Sequence, residues 1–247
     1  MLLKGKTAVI TGSNKGIGLK TLEIFSENGA TIFACARNIN VEFNDLIKNL
    51  ENKFKNKIIP IKLDLSNESS IKDACNNILN TKINIDILVN NAATIHTALF
   101  QMTSLKKLKE IFEINFFSQT TFTQFILKSM IKNKKGSIVY ISSSSAMDGN
   151  EGRSAYASTK SAIISQAKVL SRELGPHNIR VNSISPGLTD TDMMKENHKK
   201  EKIDEVISRT SLRRVAKATE IANIILLLSS DLTSYITGQN IRVDGGM

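Results

Sequence analysis

Short apolar runs alternate with amphipathic stretches along the whole 247-residue chain. The runs are Thr7–Thr11, Thr31–Ala36, Ile58–Leu63, Ile87–Asn90, Ile138–Ser142, Val181–Ser185 and Asn240–Val243. They are rich in Val and Ile and apolar at consecutive positions, which predicts strands buried on both faces of a parallel sheet. Between them, apolar residues recur three and four apart. That spacing predicts helices over Gly16–Asn28, Asp45–Phe54, Ser69–Leu79, Ser104–Lys132, Ala155–Leu174 and Thr219–Ser229. Repeated strand–helix–strand units require right-handed crossovers, so the expected fold is α/β: one doubly wound parallel sheet of about seven strands with helices on both faces. With three prolines in the chain and no Gly- or Ser-rich linker, residues 1–247 read as a single domain. The stretch 188–218 breaks the alternation. It follows Pro186-Gly187, carries the charged run Lys195–Lys202, and reads as a mobile lid over the mouth of a site.

Composition narrows the function classes. A hydrophobic fraction of 41% suffices for a full core. No apolar run reaches the ~18 residues of a membrane span, and Met1–Lys6 turns polar too soon for a signal peptide. Cys35 and Cys75 form neither a disulfide framework nor a metal-ligand spacing, and His96, His177 and His198 share no spacing, so no metal is expected. A soluble cytoplasmic protein is the expectation. The net charge of +10 comes mostly from Lys scattered among Asn, with no basic helix interleaved with aromatics. Neither nucleic acid nor membrane is expected as a partner; the positive field suits an anionic cofactor or substrate.

Two clusters carry candidate chemistry. The first strand feeds into Gly12-Ser13-Asn14-Lys15-Gly16-Ile17-Gly18, a glycine loop opening a helix. Gly12 permits the tight turn, and Gly16 and Gly18 allow close approach of backbone to a pyrophosphate at the helix N-terminus. At the end of the second strand stands Ala36 followed by Arg37, with no carboxylate; together with Lys15 this favours the 2′-phosphate of NADPH/NADP+ over the bare ribose of NAD. Asp64-Leu65 ends the third strand, where it would meet the adenine edge, and Asn91-Ala92 ends the fourth, where small side chains admit the ribose. In the second cluster, Tyr156 and Lys160 lie four apart on one helix face. An ammonium near a phenol favours the phenolate, so the Tyr pKa is expected below ~10. The hydroxyl run Ser142–Ser145 lies just upstream. The two clusters read as a dinucleotide site serving a carbonyl/alcohol redox centre.

The glycine loop Thr11–Gly18, Asn90-Asn91-Ala92-Ala93, Asn115, Ser143, Tyr156 with Lys160, Pro186-Gly187 and the tail Tyr235–Gly246 resemble the short-chain dehydrogenase/reductase family over essentially the whole chain. Within it the chain looks most like 3-oxoacyl-[acyl-carrier-protein] reductases. The resemblance implies a Rossmann fold. It implies Tyr156 as general acid, Ser143 as hydrogen-bond donor to the carbonyl oxygen, Lys160 on the nicotinamide ribose, and Asn115 positioning a water that connects Lys160 to solvent. It implies cofactor contacts from Thr189 and Thr191 after Pro186-Gly187, and a substrate pocket lined by Ser145, Leu188 and Met193. The implied substrate is an acyl thioester, with a small polar keto metabolite as the alternative, and the implied assembly is a homotetramer or homodimer. The family also places two basic residues for an acidic carrier protein; Lys134 stands at one such position, and His177 replaces the usual Arg at the other.

Overall fold

The computed structural model describes residues 1–197 and 199–247, so the reading of His198 as a surface or loop residue and not a ligand lies outside the described residues. In chain order the elements are β1 (Thr7–Thr11), α1 (Gly16–Glu27), β2 (Thr31–Ala36), α2 (Val41–Phe54), β3 (Ile58–Lys62), α3 (Glu68–Leu79) and β4 (Ile87–Asn90). Then come α4 (Leu105–Phe112), α5 (Ser118–Asn133), β5 (Gly136–Ile141), α6 (Ser145–Asp148), α7 (Ser154–Leu174) and β6 (Ile179–Pro186). The chain ends with β7 (Thr189–Asp190), α8 (Asp192–Asn197), α9 (Lys200–Arg209), β8 (Ala216–Lys217), α10 (Ala218–Ser229) and β9 (Asn240–Val243).

Seven strands form one parallel sheet in the order β3-β2-β1-β4-β5-β6-β9. This is the Rossmann-like arrangement the sequence predicts. The order reverses between β1 and β4, and a crevice at such a switch point lies beyond the carboxyl ends of the strands. Each strand is apolar at consecutive positions because it faces two cores. Ala8 and Ile10 of β1 pack with α1, α2 and α10, including Leu22, Phe25, Ile47 and Ile221. Val9 points the other way, into a core built with Ile71 and Ile78 of α3, Phe122 and Ile126 of α5 and Ile163 of α7.

Three departures from the expected elements have physical causes. First, α2 starts at Val41, four residues before the predicted Asp45, because the Asn40 side chain accepts a hydrogen bond from the Phe43 N–H at 3.1 Å and caps the helix. Second, the single helix expected over Ser104–Lys132 is broken into α4 and α5 by a π-helical turn at Glu113–Phe117. The widened turn adds a residue to the helix circumference and presents Asn115, fully buried, to the site. Third, the stretch 188–218 contains two helices, α8 and α9, framed by the parallel pair β7–β8. Cys35 and Cys75 are free, as read from the sequence, and both are buried; burial pushes both thiols up, Cys75 to about 12. No helix among the described residues is long and apolar enough to cross a membrane, and among them no group of three potential metal ligands occurs.

Candidate active site

The glycine loop is a cradle that side chains would fill. Gly12 has φ +66, and a Cβ there would lie 3.0 Å from the Ala92 Cα. A Cβ on Gly18 would fall onto the Gly12 carbonyl oxygen. Asn91 braces the turn: its Nδ2 donates to the carbonyls of Thr11 and Gly12 at 3.0 and 3.1 Å. The Thr11 hydroxyl, which the sequence reading passed over, accepts from the N–H groups of Asn91 and Ala92, both at 3.0 Å. Asn91 therefore shapes the loop with its side chain. The Ser13 hydroxyl is likewise spent internally, donating to the Cys35 carbonyl at 3.0 Å. Asn14 and Lys15 are exposed, and Ile17 is half-buried. Lys15 is the N-cap residue of α1 and makes no side-chain capping bond, so no side chain at the N-cap answers the first N–H groups of that helix. An open cradle beneath such a helix end fits a pyrophosphate.

Beyond β2, Arg37 is exposed. Its charge and that of Lys62 both act on Asp64. Lys62 is the register partner of Ala36 across β2–β3, so a second cation joins Arg37 at this edge. Lys62 interrupts the predicted run Ile58–Leu63 one residue before its end, which is a signal in the sequence, but only strand pairing places it. Asp64 Oδ1 accepts from the Ser66 N–H and hydroxyl at 2.9 and 2.7 Å, which holds the carboxyl below its ordinary value. Leu65 is buried beside it.

Across the crevice, the segment after β6 closes on the glycine loop. A Cβ on Gly16 would sit 3.4 Å from the Thr191 methyl, and one on Gly187 would sit 2.8 Å from the Asp244 Cα. Pro186 and Thr189 are buried, and the Thr189 hydroxyl donates to the Gly187 carbonyl at 3.0 Å. The Thr191 hydroxyl accepts from the Met194 N–H at 3.3 Å, fixing the start of α8. Leu188 and Met193 are half-buried on this segment.

Tyr156 and Lys160 lie on the first turns of α7 and are buried, Lys160 at 1% exposure. The Lys160 Nζ donates to the Ile141 carbonyl at 2.7 Å and stands 5.6 Å from the centroid of the Tyr156 ring. The structure thus brings the pair together, yet corrects its expected electrostatics. Burial raises the Tyr156 phenol above its ordinary value, opposed by the Ser143 hydrogen bond and the Arg153 charge. Burial also pushes Lys160 down to about 7, so near neutrality its charge is only partly present. Desolvation, invisible in a four-residue spacing, is the largest influence on both groups. Ser143 reaches the phenol from the segment after β5, and its Oγ accepts from the Ser145 N–H at 3.2 Å. The Ser142 hydroxyl instead donates to the Lys160 carbonyl at 2.9 Å, which distinguishes the neighbouring serines by role.

Asn115 is tied in on three sides. Its Oδ1 accepts from the Thr94 N–H, and its Nδ2 donates to the Thr94 carbonyl, both at 2.8 Å, and to the Thr159 hydroxyl at 3.2 Å. Thr159 in turn donates to the Tyr156 carbonyl at 2.7 Å. Asn115 thereby connects the segment after β4 to α7. The sequence reading also missed Arg153, which is 5% exposed and three residues before Tyr156.

The family profile described as enoyl-(acyl carrier protein) reductase matches residues 12–247. The chain is 36% identical to the 3-oxoacyl-[acyl-carrier-protein] reductase of Thermotoga maritima, covering 100% of this chain and 99% of the relative. A solved 3-oxoacyl-[acyl-carrier protein] reductase from Brucella melitensis with bound NAD superposes with a TM-score of 0.89 at 27% identity, covering 100% of this chain and 92% of that one. A structure from Beutenbergia cavernae, described as a candidate NAD(P)-dependent gluconate 5-dehydrogenase with bound NADP, gives 0.92 at 26% identity, covering 98% and 96%. With the cradle, the Tyr156–Lys160 pair and the sheet order in place, these likenesses place the chain in the short-chain dehydrogenase/reductase family, as an oxidoreductase acting on C=O and CH–OH groups.

Proposed function

We propose that the protein reduces the keto group of a 3-oxoacyl thioester to an alcohol with NADPH. The observation that carries this reading is the burial of Tyr156, which keeps its phenol protonated and ready to act as an acid, beside a phosphate cradle. The nicotinamide cofactor, when bound, supplies the hydride. Gly12, Gly16 and Gly18 let its pyrophosphate reach the N-terminus of α1, and Thr189 and Thr191 close on it from the far side. Lys160 holds its ribose. Ser143 orients the substrate carbonyl, and Tyr156 delivers the proton to the carbonyl oxygen. Lys160, poised near neutrality, returns a proton to the phenolate, with Asn115 positioning the water that links it to solvent. Ser145, Leu188 and Met193 line the substrate side, and residues 188–218 act as the lid of a single domain. The work is done in the cytoplasm by a homotetramer or homodimer. Exposed Phe117 beside α5 and Val169 on α7 supply apolar surface for pairing those helices across a two-fold axis.

A second reading, a keto group on a sugar-derived or other small polar metabolite, draws on the 0.92 TM-score with the gluconate 5-dehydrogenase-like structure. A panel of acetoacetyl thioesters, keto sugars and diketones, followed by NADPH oxidation, separates the two. Thioester turnover at least ~10-fold above the others is expected. Preference for keto sugars would replace the first reading by the second.

Cofactor choice rests on Arg37 and Lys62 at the edge of β2 and β3. Replacing Arg37 by Ala is expected to weaken NADPH binding by about 1–3 kcal/mol while leaving NADH nearly unchanged. Nucleotide fluorescence titration measures both. Equal losses would remove the 2′-phosphate assignment.

A further inference from the structure

Arg153 stands where a guanidinium is costly. It is the N-cap residue of α7, 5% exposed, and its backbone is fixed at both ends: its N–H donates to the Asn150 carbonyl at 3.2 Å and its carbonyl accepts from the Ala157 N–H at 2.7 Å. It precedes Tyr156 by three positions, so both lie on one face of the first helical turn. Its Nη2 reaches the Asn197 carbonyl at 3.4 Å, at the C-terminal end of α8. A cation hydrogen-bonded to a last-turn carbonyl is a favourable helix termination. Arg153 therefore touches both the helix that carries the phenol and the helix that follows Thr191.

We propose that Arg153 is a positioning residue joining these two parts: buried beside Tyr156, its guanidinium stabilises the phenolate left when the proton passes to the substrate oxygen, and it holds the end of α8 against the same site. The inference rests on the acid role proposed for Tyr156. Ser143 from the segment after β5 and Arg153 from the start of α7 both act on the phenol, and Lys160 stands one turn further on, with Nζ 5.6 Å from the ring centroid. Lys160 is pushed down to about 7 and so loses its charge as the medium turns alkaline; a guanidinium does not. At high pH the lasting positive charge beside the phenol is that of Arg153.

The test uses Arg153→Gln and Arg153→Lys in the full chain. Tyrosinate absorbance is titrated with pH, and the contribution of Tyr156 is isolated by subtracting the Tyr156→Phe profile. Removing a nearby cation raises a phenol's proton affinity, so Arg153→Gln is expected to move the midpoint up by about 1 pH unit. The alkaline limb of kcat/KM for reduction should move in the same direction. Arg153→Lys keeps the charge and shortens the fork, so the midpoint should stay near that of the parent while tryptic cleavage between Lys195 and Lys202 accelerates severalfold in both variants. An unmoved midpoint in Arg153→Gln overturns the electrostatic half, and unchanged cleavage overturns the α8 half. If Arg153→Gln does not fold, Arg153→Lys still decides the α8 contact, and its own midpoint decides the charge: a rise as large as 1 unit with charge retained would refute it. The titration needs no turnover, so it is read independently of whether Tyr156→Phe abolishes activity.

Discussion

Tyr156→Phe is expected to lower kcat for carbonyl reduction by about 10²–10⁴-fold, the usual contribution of a positioned general acid. In free energy this is roughly 3–5 kcal/mol of barrier. Only the hydroxyl is removed. The ring keeps its place on α7 at 8% exposure, and the Lys160 Nζ keeps its bond to the Ile141 carbonyl, so the fold and the cofactor affinity should hold. Stopped-time NADPH oxidation and a nucleotide titration on the same preparation check both halves. The pH dependence has a definite sign. Reduction needs the phenol protonated, and burial holds it protonated above its ordinary range. The reductive profile should therefore stay level through neutrality on account of Tyr156 and fall only in alkaline solution, whereas alcohol oxidation, which needs the phenolate, should rise with pH. A limb near neutrality belongs to Lys160, pushed down to about 7 and needed to return a proton to the phenolate, and it should be absent from the residual activity of Tyr156→Phe, which has no phenolate to reprotonate. A variant with parental turnover would take Tyr156 out of the reaction.

What the sequence disclosed follows from which forces act locally. The seven strands lie where apolar runs predict them, with β1, β2, β4 and β9 matching to the residue, because a strand flanked by two cores has no polar face to blur its pattern. The π turn at Glu113–Phe117 left no such mark. The apolar periodicity runs through it, and its cause, the grip of Thr94 and Thr159 on Asn115, comes from segments 21 and 44 residues away. The helices α8 and α9 are short and rich in charge, so few apolar positions mark them, and the small β7–β8 pair that frames them is a tertiary contact. In the site, spacing showed that Tyr156 and Lys160 would be neighbours but not that burial would govern both. Arg153 drew no reading from the sequence; its importance lies in its burial, which no local pattern records. Ser13 and Asn91 show the reverse: motif residues whose side chains serve the loop itself.

The glycine cradle yields the second large effect. At Gly18 an added Cβ would meet the Gly12 carbonyl oxygen head-on and lie 2.5 Å from the Asn91 Nδ2. Neither neighbour is a swinging side-chain end. The carbonyl is backbone in a turn held at φ +66, and the amide is spent on the Thr11 and Gly12 carbonyls. Relief therefore requires α1 to lift from β1, which disturbs the packing of Leu22 and Phe25 beneath it. Gly18→Ala should cost about 1–3 kcal/mol of stability, the range for forcing atoms into a filled core. It should also weaken NADPH binding by at least ~10-fold, since the helix N-terminus moves away from the pyrophosphate. Gly175 supplies the contrast. A Cβ there meets nothing within 4 Å, and its φ of −50 suits any residue, so Gly175→Ala should be neutral or stabilising by about 0.4–1 kcal/mol through the unfolded chain. Urea midpoints and nucleotide titrations on the two variants give the comparison. If both alanines cost the same, or if Gly18→Ala binds NADPH as the parent does, close approach at this turn is not what the glycine provides.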